Sequence, residues 1–157
     1  MNHLTRFLPD EATTQSVGQN LAHQLSAPLV IALNGPLGAG KSTLIRAMLR
    51  QLGVTGPIKS PTYALVEPYS FSNFSIYHFD FYRFFDENEW EDSGFRDYFN
   101  SESICLVEWA EKAQRVLPPI DLQIELQYAI PQGRQLDVSA LSPAGQHVLQ
   151  NWSEALE

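Results

Sequence analysis

Within the segment from Gly35 to Thr43, the eight residues from Gly35 to Ser42 match the phosphate-loop pattern G-x-x-x-x-G-K-[ST]. In such a loop, glycines let the backbone wrap round phosphate oxygens while its amide N–H groups point inward. Lys41 is expected to reach the β- and γ-phosphates, and Ser42 to place its hydroxyl on Mg²⁺. Thr43 is expected near the α-phosphate. The pattern therefore predicts a site for a nucleoside triphosphate and magnesium. The other loop residues expected to contact the nucleotide are Leu37, Gly38, Ala39 and Gly40.

The residues on either side of the loop support this interpretation. Residues 29–33 are all apolar and predict a buried strand. After the loop, apolar residues recur at helical spacing, at Leu44, Ile45, Met48, Leu49 and Leu52. A helix that begins near Gly40 would add the positive end of its dipole to the site. Strand, glycine loop and helix thus follow one another in the order that a nucleotide site requires.

Two carboxylates are candidates for the metal and water chemistry that accompanies a phosphate loop. Glu108 follows four apolar residues of a predicted strand, which is the position of a Walker-B acid. Asp80 lies near the end of another predicted strand, and ligands of open α/β sheets bind at strand ends. Each has a structural alternative: Glu108 as a surface acid that ends a strand, and Asp80 as a turn or cap residue.

Four further residues near these acids have both a functional and a structural interpretation. Thr62 follows Pro61 and resembles the threonine of a switch loop that senses γ-phosphate and metal, although a turn threonine is equally compatible. Arg83 suits charge neutralisation, but an ordinary ion pair is favoured. His78 is favoured as a core histidine and Trp109 as a core tryptophan. On this reasoning Asp80, Glu108 and Lys41 are the candidate catalytic residues, and Ser42, Glu108 and Asp80 the candidate metal ligands.

The periodicity of the chain predicts an α/β fold. Strands are predicted over 29–33, 63–69, 74–81, 103–108, 121–128 and 135–141. Helices are predicted from Asp10 to about residue 25, over 40–51, 86–92 and 110–116, and from Pro143 onward. The short turns within the 63–81 and 121–141 pairs require antiparallel hairpins. We therefore expect a three-layer P-loop NTPase-like domain with a mixed parallel and antiparallel sheet, and a single domain over residues 1–157.

Composition restricts the partners and the compartment. The net charge of −8 argues against autonomous nucleic-acid binding, which usually requires a basic surface, so we expect any contact with nucleic acid to be indirect. Cys105 is the only cysteine, which excludes an intramolecular disulfide and favours a buried thiol. We find no signal peptide and no apolar run of about 18 residues, so we expect a cytoplasmic protein without a membrane segment.

Taken together, the motifs resemble the TsaE (YjeE) family of small bacterial ATPases. The resemblance rests on Gly35–Thr43, Ser60–Tyr63, His78–Arg83 and Glu108–Trp109, in this order within roughly residues 10 to 115. The phosphate loop alone is generic, whereas the three later motifs in a chain of this length are specific. The chain departs from the family pattern at Pro36, where an acidic residue is usual, and at Ser42, where threonine is frequent. Neither departure removes a required group.

The resemblance implies a function in making N6-threonylcarbamoyladenosine on tRNA. It implies that the chain works with the TsaB–TsaD pair, in which TsaD transfers the threonylcarbamoyl group to adenosine 37. ATP hydrolysis to ADP would then reset that assembly rather than power the bond-forming chemistry. The resemblance also implies that Trp109 lies close to the nucleotide and that three residues flank the adenine: Glu11, Gln132 and Arg134.

Other classes of phosphate-loop protein fit the sequence less well. A small-molecule kinase remains the alternative, but the seven arginines are not clustered as an arginine-rich lid would require. A GTPase would carry an N-K-x-D motif, and the chain has no Asn-Lys pair. A protein that senses nucleotide without hydrolysing it would not need two acids, such as Asp80 and Glu108, at a metal and water site. The sequence therefore favours a magnesium-dependent ATPase that is slow alone and is stimulated by its partners.

Overall fold

A computed structural model describes residues 2–84 and 86–157. Across these residues there are seven strands, whose bounds are β1 His3–Leu8, β2 Leu29–Asn34, β3 Val66–Ser70, β4 Ser75–Asp80, β5 Ser103–Glu108, β6 Leu122–Tyr128 and β7 Arg134–Ala140. They form one mixed sheet, in the order β1-β7-β6-β2-β5-β4-β3. β2 pairs in parallel with β5 and β6, and β5 pairs in parallel with β4. The other pairs, β3 with β4, β6 with β7 and β1 with β7, are antiparallel.

Helices lie on both faces of this sheet. Their bounds are α1 Glu11–Ala22, α2 Lys41–Gln51, α3 Glu87–Asp92 and α4 Pro143–Ala155, with 3-10 turns at Phe95–Tyr98 and Ala110–Ala113. Alternate residues of β5 point to opposite faces, and they join different apolar clusters, Ile104 one and Cys105 the other. The first cluster includes apolar residues of α1, α2 and α4, and the second is largely aromatic and includes Trp90 of α3.

The predicted fold class, an α/β fold with a mixed sheet and helices, is confirmed. Both predicted hairpins are present, as β3–β4 and β6–β7. The N-terminal strand His3–Leu8 was not predicted, because only Leu4 and Leu8 in it are buried and the intervening residues are polar or exposed. The helix predicted over 110–116 is only a 3-10 turn at Ala110–Ala113. The strand predicted from residue 63 begins at Val66, after the left-handed Leu65.

The first and last helices begin where the sequence predicts them, each after a side-chain cap, Asp10 for α1 and Ser142 for α4. Asp10 accepts a hydrogen bond from the Thr13 amide at 2.8 Å and another from its hydroxyl at 2.6 Å. These two bonds stabilise the carboxylate and lower the pKa of Asp10. The contribution of this cap to helix stability is therefore present above the ordinary carboxyl pKa and is lost as the pH falls through the lowered value. Ser142 caps α4 by accepting from the Gly145 amide at 3.0 Å.

Burial of Cys105 agrees with the sequence interpretation of this residue as a core thiol. Its side chain lies in the aromatic cluster, and desolvation raises the pKa of the thiol to about 12. The thiol therefore stays protonated and unreactive near neutral pH. In the described residues, none of the helices has the length and apolar character needed to cross a lipid bilayer.

Asp121 connects three elements of the fold. Its two carboxylate oxygens accept hydrogen bonds from the Val30 amide at 2.8 Å and from the Ser142 hydroxyl at 2.6 Å. The first bond fixes the start of β2, and the second fixes the cap of α4. α4 also begins very close to Asp121, because a Cβ on Gly145 would collide with the Asp121 carbonyl oxygen.

We expect Asp121→Ala to lower the free energy of unfolding by about 2 kcal/mol, since it leaves the Val30 amide unpaired and releases the Ser142 cap. Urea unfolding followed by circular dichroism measures this change. The matched control is Asp92→Ala at the exposed end of α3, for which a change within about 0.5 kcal/mol is expected. Equal stability of the two variants would contradict the structural role of Asp121.

Candidate active site

The candidate site lies at the carboxyl ends of three neighbouring parallel strands. β2 leads into the phosphate loop, β4 ends at Asp80 and β5 ends at Glu108. Asp80 is directly opposite Glu108 in the β4–β5 register, and Leu33 of β2 is opposite Glu108 on the other side. Because parallel strands end at one edge of the sheet, this topology brings both acids to the loop.

Glycines determine the shape of the phosphate loop. Gly35, Gly38 and Gly40 have φ values of 144°, 80° and 110°, a region that other residues rarely adopt. At Gly35 there is also no room for a side chain, since a Cβ would collide with the Leu126 carbonyl oxygen. Gly40 is the N-cap of α2, so the amide groups at the start of that helix face the loop. The backbone thus has the form of an anion-binding cradle.

Lys41 is the first residue of α2 and its ammonium group lies inside the loop. Its Nζ donates a hydrogen bond to the Gly35 carbonyl at 2.7 Å. The same Nζ lies 3.7 Å from Glu108 Oε1 and 5.9 Å from the centre of the Trp109 ring. The ammonium therefore stands between the loop and the Walker-B position predicted for Glu108, where it neutralises negative charge.

Both predicted acids are buried and held in fixed orientations. Asp80 and Glu108 are each 8% exposed. Asp80 Oδ1 accepts from the Tyr82 amide at 2.9 Å, and Oδ2 accepts from the Thr62 hydroxyl at 3.4 Å. Thr62 in turn lies 2.7 Å from the Ser60 hydroxyl. The predicted switch-loop threonine is thus in contact with one of the two acids.

His78 makes a contact with this site that the sequence interpretation did not include. It is 5% exposed, as expected of a core histidine. Its Nε2, however, lies 2.7 Å from Glu108 Oε2. The available signal was the spacing: His78 and Asp80 are two residues apart on one strand, so their side chains share a face of the sheet.

Two sequence interpretations of side chains near the site are wrong. Trp109, which we expected to pack in the core, is 36% exposed, and its ring packs against Tyr82 at 5.0 Å. The reason is a left-handed backbone at Trp109, with φ of 58°, which turns the chain at the end of β5. For Arg83, where an ion pair was favoured, no carboxylate partner lies among the described side chains; its guanidinium stacks on the Tyr63 ring, 4.6 Å from the ring centre.

A cleft of about 240 Å³ joins the phosphate loop to the two acids. It is lined by Leu37, Gly38, Gly40, Lys41, Ser42, Thr43, Ser60, Thr62, Asp80, Glu108 and Trp109. The candidate metal ligands in it are the Ser42 hydroxyl and the carboxylates of Asp80 and Glu108, which are oxygen ligands of the kind that Mg²⁺ prefers. Within residues 2–84 and 86–157, no group of three or more His, Cys, Asp or Glu side chains could hold a metal. This donor set fits Mg²⁺ that takes its other ligands from phosphates and water.

A second cavity, of about 250 Å³, lies on the other side of the loop. Its lining includes Glu11, Thr43 and Arg134, so two of the three residues implied as adenine contacts meet here. Gln132, the third, is exposed in the β6–β7 turn, outside this lining. The cavity continues the phosphate site, since Gly38, Gly40 and Thr43 line both.

The β6–β7 hairpin contacts the phosphate loop directly. The Tyr128 hydroxyl donates to the Leu37 carbonyl at 2.6 Å, and Arg134 donates to the Gly38 carbonyl at 3.2 Å. The Arg134 guanidinium also stacks on the Tyr128 ring at 4.5 Å. The hairpin therefore supports the loop and presents a planar cation at the edge of the second cavity.

The family model and the similar proteins of known sequence name the same family. Residues 8–136 match the model of the family described as threonylcarbamoyl adenosine biosynthesis protein TsaE. The chain is 42% identical over 158 residues to the tRNA threonylcarbamoyladenosine biosynthesis protein TsaE of Haemophilus influenzae, covering 98% of this chain and 99% of that protein. It is 38% identical to the protein of the same name from Bacillus subtilis over 71% of this chain and 70% of that protein. The crystal structure of Bacillus subtilis YdiB superposes with a TM-score of 0.80 at 26% identity, covering 99% of this chain and 97% of that one.

Proposed function

Because this chain belongs to the TsaE family of tRNA threonylcarbamoyladenosine biosynthesis proteins, we propose that it is a magnesium-dependent ATPase of that pathway. On this proposal residues 1–157 form one P-loop ATPase domain that binds ATP, hydrolyses it slowly to ADP and acts with the TsaB–TsaD pair. Hydrolysis resets that assembly, and contact with tRNA is made through the partners.

One observation carries the proposed activity: Lys41, Ser42, Asp80 and Glu108 line a single cleft at the end of the phosphate loop. Hydrolysis of a triphosphate needs positioned phosphates, a metal site and an oriented water, and little covalent chemistry from the protein. This cleft offers a side chain for each of these tasks.

The residues have distinct tasks in the proposed reaction. The loop amides and Lys41 bind the phosphates, and Lys41 neutralises charge that develops on the bridging and γ-oxygens. Ser42 and Glu108, with Asp80 beside them, would hold Mg²⁺, which supplies electrostatic stabilisation of the transferring group when bound. Asp80 also orients the attacking water. Thr62, which contacts Asp80, is the proposed switch residue that responds to the γ-phosphate.

The base would lie in the second cavity. Glu11 and Arg134 line it, and a guanidinium stacks favourably on an aromatic ring. Gln132, which is exposed in the turn of the same hairpin, is retained as a proposed contact. Trp109 is proposed to contact the nucleotide from the opposite side of the loop, beside Lys41.

Stimulation by the partners is proposed because the cleft lacks one group that fast NTPases use. Among the described residues that line it, none is an arginine. An arginine supplied by a second protein raises the turnover of GTPases by several orders of magnitude. A partner protein could complete this site in the same way.

The experiment that tests the proposal is phosphate release from ATP·Mg²⁺ by the purified chain, alone and with TsaB–TsaD. We expect slow release alone, an increase of at least about tenfold with the pair, and loss of release in EDTA. Fast release that the pair leaves unchanged would contradict partner stimulation. The alternative function, a small-molecule kinase, predicts transfer only when an acceptor is added, and transfer without hydrolysis would replace the ATPase proposal.

A further inference from the structure

His78 lies on β4 two residues before Asp80, on the same face of the sheet. It pairs with Leu106 in the β4–β5 register, two residues before Asp80 pairs with Glu108. The residue is 5% exposed and its Nε2 lies 2.7 Å from Glu108 Oε2. This is the shortest side-chain contact that holds the Glu108 carboxylate, since Lys41 Nζ lies 3.7 Å from the other oxygen.

The chemistry of the two groups defines the direction of this bond. A carboxylate oxygen only accepts hydrogen bonds, so His78 Nε2 must carry the hydrogen and act as the hydrogen-bond donor. The other ring nitrogen, Nδ1, is buried and has no hydrogen-bond partner among the described residues. A buried polar atom without a partner is unfavourable. Packing alone would therefore be served better by an apolar side chain, and the contact with Glu108 is what a histidine adds at this position.

We propose that His78 is a positioning residue for Glu108. Its Nε2–H fixes Oε2 on the β4 side, so that Oε1 stays directed to Lys41 and the cleft. This inference rests on the proposed ATPase function of Glu108. Partners that orient a metal-binding carboxylate typically change metal affinity or activity about 10- to 100-fold when removed.

The test compares two side chains of equal length, His78→Gln and His78→Met. Glutamine carries an N–H donor close to the position of imidazole Nε2, and methionine has a side chain of the same length without a donor. We expect His78→Gln to retain at least about a third of the ATP turnover, and His78→Met to lose about 10- to 100-fold in kcat. Nucleotide affinity in EDTA should stay within about threefold for both. His147→Met, on the exposed face of α4, serves as the unrelated control.

Two further readouts do not depend on turnover. The Mg²⁺ concentration that half-saturates the metal-dependent gain in ADP affinity should rise in His78→Met and not in His78→Gln. In the wild-type protein, ¹⁵N-edited NMR of the imidazoles should show a slowly exchanging Nε2–H at His78, whose resonance shifts in Glu108→Gln. Signals are assigned by their absence in His78→Gln, since the chain has four histidines.

The possible outcomes separate the two proposals. Equal kcat and equal Mg²⁺ dependence in His78→Gln and His78→Met would overturn the positioning role, and so would an unprotonated Nε2. If wild-type protein releases no phosphate even with TsaB–TsaD, the ATPase function fails. The NMR resonance and the Mg²⁺ dependence would then still decide whether His78 orients Glu108. Reduced kcat in His78→Met with rescue in His78→Gln supports both proposals.

Discussion

Replacing Lys41 with alanine is expected to lower ATP turnover by at least about 100-fold and to weaken nucleotide binding by about tenfold or more. The ammonium group is the cationic side chain of the cleft lining, and it sits between the loop carbonyl of Gly35 and the Glu108 carboxylate. Removing one preorganised donor from a transition-state site typically lowers kcat by about 10²- to 10³-fold. Binding also weakens because a charge-assisted contact to phosphate is lost in the ground state.

The measurement pairs steady-state phosphate release with calorimetric titration of ADP. Lys112→Ala is the matched control, because this lysine is exposed on the 3-10 turn Ala110–Ala113 next to the cleft. It removes the same charge from the protein without touching the loop. If Lys41→Ala and Lys112→Ala had the same turnover and ADP affinity, Gly35–Thr43 would not be a phosphate site.

The fold was predictable from the sequence in segments whose buried apolar residues follow the pattern of a strand or a helix. β5 is buried along its whole length, and α2 carries its buried residues at helical spacing. β1 lacks such a signal, because it is an edge strand whose buried residues are only Leu4 and Leu8. Its place beside β7 follows from long-range pairing, which periodicity within six residues does not indicate.

The candidate site was predictable in its residue types but not in its contacts. The phosphate-loop pattern selected Lys41, and positions at the ends of predicted strands selected Asp80 and Glu108. The parallel register of β4 with β5 then explains why the two acids meet. The contact between His78 and Glu108 depends on that register and on side-chain rotamers. The exposure of Trp109 depends on a left-handed backbone at a single residue, for which local sequence gives no reliable signal.

The hydrogen bonds between the β6–β7 hairpin and the phosphate loop could not be predicted from the sequence either. Tyr128 and Arg134 are more than 90 residues from the loop carbonyls to which they donate. The order β7-β6-β2 places the hairpin next to the strand that leads into the loop. The Arg134 guanidinium, which lines the second cavity, therefore also holds a loop carbonyl. On the proposed function, one hairpin would thus contact both the phosphate site and the base site.

Glu108→Gln is expected to lower kcat by at least about 100-fold while nucleotide binding is retained. The substitution preserves the size of the side chain and an oxygen that accepts from His78, but it removes the negative charge near Lys41. A neutral amide is a much poorer ligand for Mg²⁺ than a carboxylate, so the electrostatic stabilisation of the transition state is lost. Binding of ADP in EDTA depends on the loop and on Lys41, and it should change by less than about threefold.

The contrast with Lys41→Ala makes this prediction specific, because one variant loses binding and turnover together and the other loses turnover alone. Phosphate release and ADP titration with and without Mg²⁺ measure both properties. Glu154→Gln, at an exposed glutamate of α4, removes the same charge away from the cleft and should match the wild type. Unchanged kcat in Glu108→Gln would remove Glu108 from the mechanism and leave Asp80 as the acid that must hold the metal.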